Sequence, residues 1–153
     1  MHTLRLSSPA DILTHWAIFR EGHRTLRQMS NAMMSEEEYC KFLTNMSSRE
    51  DDVYIAVVQD GEIDICYGVA CNATPPHSEK KTFEVTSFYH NPARADATLF
   101  LKSSFETWCR EQNVRSYLVT TRQTRRTSGA TIDCFMSEKY GFRKAYLAFE
   151  KKL

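Results

Sequence analysis

The apolar run Val53-Tyr54-Ile55-Ala56-Val57-Val58, the pair Asp60-Gly61 and the alternating stretch Glu62-Ile63-Asp64-Ile65-Cys66-Tyr67 follow one another directly. β-branched residues suit the pleated surface of a strand. Asp-Gly between two such stretches is the strongest short-range hairpin signal, because the turn needs left-handed backbone that glycine adopts freely. An antiparallel hairpin is expected here, its second strand continuing toward Asn72. A chain with this centre is not a helical bundle, and its flanking segments must cover a sheet.

Those flanks read as helices and further strands. Thr3-Leu4-Arg5-Leu6 alternates like a short strand, and Ser7-Ser8-Pro9 turns into a helix capped by Ser8 with Pro9 first. Ile12, Trp16, Phe19, His23 and Leu26 then recur at intervals of four, three, four and three, which predicts one continuous helix with that face on a core. His23 on this stripe reads as a hydrogen-bonded border residue. After the Met-rich segment 28–34, Ser35 and Glu38 form a capping box for a second helix to about Met46, with Tyr39, Phe42, Leu43 and Met46 on its apolar face.

Beyond the hairpin, the Thr74-Pro75-Pro76-His77 loop leads to a strand over Thr82–Tyr89, closed by Asn91-Pro92. A helix to about Asn113, beginning at Ala93 or Asp96, presents Leu101, Phe105, Trp108 and Cys109 on one side. A strand over 116–121, a Thr- and Arg-rich loop, a short helix over 128–140 capped by Gly141 and a last strand over 142–152 complete the order β-α-α-β-β-β-α-β-α-β. This is a mixed α/β chain of one domain, without repeats or linkers.

Composition narrows the function classes. Twenty Lys and Arg against nineteen Asp and Glu leave a formal charge of +1 in 153 residues, which disfavours a nucleic-acid partner and confines any anion site to a local feature. No apolar run approaches the ~20 residues that span a bilayer, and no h-region follows the N-terminus, so the expected setting is cytoplasmic, without a membrane partner. Five cysteines without a CxxC pair read as small buried hydrophobes, and no metal is expected. There is no Ser-His-Asp order, Walker sequence or HExxH spacing.

The element order, the turn Gln59-Asp60-Gly61-Glu62-Ile63, the step from Phe83-Glu84-Val85-Thr86-Ser87-Phe88-Tyr89-His90 to Asn91-Pro92, and the ending Glu138-Lys139-Tyr140-Gly141-Phe142 resemble the GCN5-related N-acetyltransferase (GNAT) superfamily over nearly the whole chain. The resemblance implies a mixed, mostly antiparallel central sheet flanked by helices. It also implies acetyl-CoA as cofactor, with the pantetheine arm along the backbone of Phe88, Tyr89 and His90. The pyrophosphate would lie at the helix start formed by Arg94, Ala95, Asp96 and Ala97, where unpaired N–H groups and the helix dipole favour an anion. Transfer of the acyl group to an amine would use Glu84 or His90 as base and the position of Ser137 as acid.

The chain departs from the family pattern where chemistry would occur. The family's loop reads Arg/Gln-x-x-Gly-x-Gly/Ala, whereas here it reads Arg94-Ala95-Asp96-Ala97-Thr98-Leu99, with no glycine and with a carboxylate in the first turn. Ser137 replaces the family's acidic Tyr and is a far weaker acid; Tyr89, Tyr140 and Tyr146 are the nearest alternatives. Two functions are consistent with this pattern. One is an acyl-CoA-dependent N-acyltransferase with a degenerate cofactor loop, acting on a small-molecule or protein amine acceptor. The other is a non-catalytic interaction module on the same scaffold, such as a viral virion or host-modulating protein, with a protein partner. A homodimer is compatible with both. Arg122, Arg125 and Arg126 form a basic loop able to meet a phosphate or an acidic partner.

Overall fold

The computed structural model describes residues 1–29, 34–119 and 142. Two compact units divide the chain, Met1–Tyr117 and Leu118–Leu153, and nearly every described residue belongs to the first. Its elements are β1 (His2–Arg5), α1 (Pro9–Thr14), α2 (Trp16–Met29), α3 (Glu36–Ser47), β2 (Val53–Asp60), β3 (Ile63–Asn72), β4 (Thr82–Tyr89), α4 (Ala95–Glu111) and β5 (Ser116–Val119). The expected short helix and final strand over 128–152 lie outside the described residues.

The five strands form one sheet in the order β1-β2-β3-β4-β5, and the pairs β1–β2, β2–β3 and β3–β4 are antiparallel. Gly61 takes φ 62° at the tip of the β2–β3 hairpin, as the Asp60-Gly61 signal requires. The sheet is covered on both faces, which explains why Val53–Val58 reads as a continuous apolar run. Val53, Ile55 and Val57 point to one face and pack with Ile12, Phe19, Tyr39 and Leu43 of α1–α3. Tyr54, Ala56 and Val58 point to the other and pack with Ala97, Leu101, Phe105 and Cys109 of α4.

Both predicted N-caps are present. Ser8 Oγ accepts from Asp11 N while Asp11 accepts from Ser8 N; Ser35 Oγ accepts from Glu38 N while Glu38 Oε2 accepts from Ser35 N. The single helix expected from Pro9 through Leu26 is instead two, α1 and α2, divided at His15. His15 caps α1, and its Nδ1 lies 2.8 Å from Asp64 Oδ2, which also ties this corner to β3. The apolar periodicity runs through the break, so spacing alone did not reveal it. The first strand begins one residue earlier than expected, at His2, and α4 begins at Ala95, between the two expected starts.

His23 is fully buried, with Nε2 2.7 Å from Met34 O. A carbonyl only accepts, so Nε2 carries the proton. The described cysteines Cys40, Cys66, Cys71 and Cys109 are free thiols. No described helix is long and apolar enough to cross a membrane.

Candidate active site

β4 carries most of the residues that chemistry would need, and a bulge decides which way they point. Val69 pairs with Ser87 and Ala70 with Val85, so Thr86 is an extra residue opposite β3. A bulged residue leaves the ladder, which frees backbone groups and increases the local twist. The Thr86 hydroxyl donates to Val69 O at 3.3 Å, tying the bulge to the sheet. The apolar positions Phe83, Val85 and Phe88 are spaced by two and then three, and that change of spacing is the trace the bulge leaves in the sequence.

Directly paired residues share a face of a sheet. Glu84 pairs with Cys71, Ser87 with Val69 and Tyr89 with Tyr67, all on the side of α1–α3. Phe88 and His90 lie on the α4 side. The two candidate bases therefore stand on opposite faces: Glu84 is half-buried on the α1–α3 side, whereas His90 Nδ1 is 2.6 Å from Thr98 Oγ1 in the first turns of α4. The His90 ring also stacks on Phe88, with centroids 6.4 Å apart.

Around Tyr89, a set of polar groups not singled out in the sequence surrounds the α1–α3 side of β4. Tyr39 Oη and Ser87 Oγ are 2.7 Å apart, and Tyr89 Oη donates to Glu21 Oε1 at 3.0 Å. Tyr67 stacks on Tyr89, and its hydroxyl is buried without a partner of hydrogen-bonding geometry among the described residues. Burial pushes the Tyr39 hydroxyl above the usual tyrosine range and the Tyr67 hydroxyl well above it. Burial raises Tyr89 too, followed by its bond to the Glu21 carboxylate. No local motif marks this set, because its members come from α2, α3, β3 and β4.

At the start of α4 the structure brings together Phe88, His90, Arg94, Asp96 and Thr98. Arg94 is the N-cap residue but forms no side-chain cap. Its guanidinium donates to Asp96 through Nε and Nη2, both at 3.1 Å, and to Asp60 Oδ2 through Nη1 at 2.9 Å. It thus joins the hairpin tip to the helix. These two carboxylates hold the Arg94 guanidinium above its ordinary range, Asp96 first. Arg94 in turn lowers Asp96, with smaller contributions from the backbone N–H groups of Ala97 and Asp96 itself. The carboxylate therefore stands in the first turn of α4, at the helix end an anion would use. Ala97 is fully buried, Ala95 is exposed, and Leu99 is half exposed on the outer side of the helix.

Ser137, Tyr140, Tyr146 and the Arg122, Arg125 and Arg126 loop lie outside the described residues, as do residues 30–33 of the Met-rich segment. Among the described residues no three His, Cys, Asp or Glu side chains gather where one metal ion could be held.

The mixed, mostly antiparallel sheet covered by helices on both faces is the fold of the GNAT acetyltransferases. A probable acetyltransferase superposes with a TM-score of 0.70 at 16% identity, covering 100% of this chain and 97% of its own. A predicted acetyltransferase from Clostridium acetobutylicum, solved with acetyl-CoA, gives 0.72 at 12% identity over 99% and 95%. An aminoglycoside acetyltransferase from an uncultured soil metagenomic sample, in complex with sisomicin, gives 0.70 at 15% identity over 99% and 95%. No family model and no curated protein matches the chain by sequence.

Proposed function

We propose that this protein is an acyl-CoA-dependent N-acyltransferase whose cofactor loop has lost its glycines. The observation that carries this reading is the β4 bulge at Thr86. It frees backbone beside the strand while turning Glu84, Ser87 and Tyr89 toward one face and Phe88 and His90 toward the other. A thioester lying along β4 would meet an amine arriving from the α1–α3 side, where Glu84 would take the ammonium proton.

The start of α4 fits a pyrophosphate with one rearrangement. The ion pairs of Arg94 are largely solvent-exposed, and exposed pairs are weak enough to exchange for a phosphate. Asp96 opposes that phosphate and lowers its affinity, because its carboxylate stands in the same first turn of α4. Coenzyme A would supply the activated acyl group. Arg94, Ala95 and Ala97 would bind its phosphates, and Phe88, Tyr89 and His90 would border its arm.

The closure of Arg94 onto Asp60 and Asp96 favours a second reading, a non-catalytic interaction module on an acetyltransferase scaffold. Calorimetry with acetyl-CoA separates the two. Binding near micromolar affinity supports the enzyme, and no heat at millimolar cofactor leaves the interaction module.

A further inference from the structure

Arg5 lines an open groove of about 400 Å³ between β1 and α4. Its guanidinium lies 4.5 Å from the ring centroid of Tyr54 and 4.9 Å from that of Trp108. Its Nε is shut away from solvent without a hydrogen-bond partner among the described residues, and Nη2 reaches Val53 O at 3.5 Å, the outer limit for such a bond. Arg94 and Lys102 each have a carboxylate within 3.1 Å. Arg5 has none within ion-pair distance among the described residues. A guanidinium that has shed part of its water without gaining a counter-charge is a strong site for an oxyanion. Burial lowers the Arg5 pKa, against the opposing influence of Tyr54 and of Glu50 at longer range.

The same residue stands at the sheet edge. Among the described residues β1 has a strand on one side alone. Leu6 N donates to Ile55 O at 2.9 Å, so the two-residue alternation of an antiparallel ladder turns the peptide groups of His2 and Leu4 toward β2. Those of Thr3 and Arg5 point outward. Thr3 and Arg5 pair with Val58 and Ala56, which puts their side chains on the α4 face, in the groove. Unpaired backbone and an unneutralised cation thus coincide at two alternate residues. That is the arrangement by which an edge strand captures a peptide, with the backbone contributing affinity and alternate side chains specificity.

We propose that β1 and this groove bind an extended peptide segment as an added edge strand, with one Asp or Glu side chain of the segment on the Arg5 guanidinium. Ser103 adds a hydroxyl to the wall, whereas Glu111 also lines the groove and repels a second carboxylate. The segment therefore carries one acid rather than an acidic tract. This site is independent of acyl transfer.

The test uses the full chain and two blocked heptapeptides of alternating Thr and Val, one with a central Glu and one with Gln, read by tryptophan fluorescence. The expected result is saturable binding of the Glu peptide at least tenfold tighter than the Gln peptide, a preference that fades at high salt. Arg5→Met, which keeps an apolar stem between the rings, should abolish the preference. Thr3→Pro, which removes an outward donor without touching the β1–β2 ladder, should weaken both peptides. Equal binding of the two peptides to the wild-type protein, or none, overturns the proposal even if Arg5→Met fails to fold. Free glutarate binding as tightly as the Glu peptide overturns the added strand.

Discussion

Gly22 of α2 lies flat against Tyr67 of β3: a Cβ at position 22 would stand 2.5 Å from Tyr67 Oη and 2.5 Å from its Cε1. The glycine sits in a helix, where it is unfavourable by about 1 kcal/mol relative to alanine. Its place there is set by the ring rather than by backbone freedom.

Gly22→Ala should therefore destabilise the protein in spite of its better helix propensity. Overpacking costs about 1–3 kcal/mol against about 1 kcal/mol of helix propensity gained, leaving a net loss of up to about 2 kcal/mol. Tyr67→Phe removes both the clash at the hydroxyl and a buried polar atom without a partner, so it should be close to neutral by itself and should partly rescue Gly22→Ala. Urea denaturation of the two single variants and the double variant measures this. Additive losses would show that the ring is not the obstacle.

Ser35→Ala should cost about 1 kcal/mol by opening the capping box of α3. For a chain of this size that is a fall of about 2–4 °C in Tm. Ser35→Asp, which keeps an acceptor for Glu38 N, should lose much less, and equal losses for both variants would assign the effect to packing.

Asp96→Gly with Leu99→Gly should raise acetyl-CoA affinity at least tenfold, because it removes a negative charge from the first turn of α4 and frees Arg94 from one of its two partners. Leu99 is half exposed, so the domain should remain folded. Arg94→Ala should weaken the same binding. Calorimetry on both variants is the measurement. A folded double variant with unchanged affinity would show that Asp96 is not what limits the site.

Burial pushes the thiols of Cys66 and Cys109 up to about 12 and about 11, and the hydroxyl of Tyr54 to about 12. The unfolded chain ionises these groups near their ordinary values, about 8.5 for cysteine and 10 for tyrosine. The unfolded state thus loses its protons first. Stability is undiminished by these groups below about pH 8.5 and falls as pH rises toward the folded values. The urea midpoint should decline between pH 8 and pH 10, and less steeply in Cys66→Ala. A flat profile would mean that the thiols ionise freely in the folded protein. Cys66 and Cys109 should also resist alkylation at pH 8, which peptide mass spectrometry can follow.

Interactions between near neighbours were legible from the chain alone. Ser8 and Ser35 cap their helices through residues three positions on, Asp60-Gly61 closes a hairpin through its own backbone, and the apolar run of β2 reports burial on both faces. Each depends on steric and hydrogen-bonding rules that act over a few residues. The resemblance to the acetyltransferases followed the same order of elements, and the fold agrees with it. The sheet decided the rest. The bulge at Thr86 arises from pairing with β3, and it separates Glu84 from His90, which the chain places six residues apart on one strand. The partners of Arg94 include Asp60, 34 positions away, and Tyr39 meets Ser87 across 48. The vacant charge of Arg5 exists because Tyr54 and Trp108 close on it from β2 and α4. Spacing along a sequence carries no information about such contacts, since long-range packing brings their members together only when the sheet and its covering helices have formed.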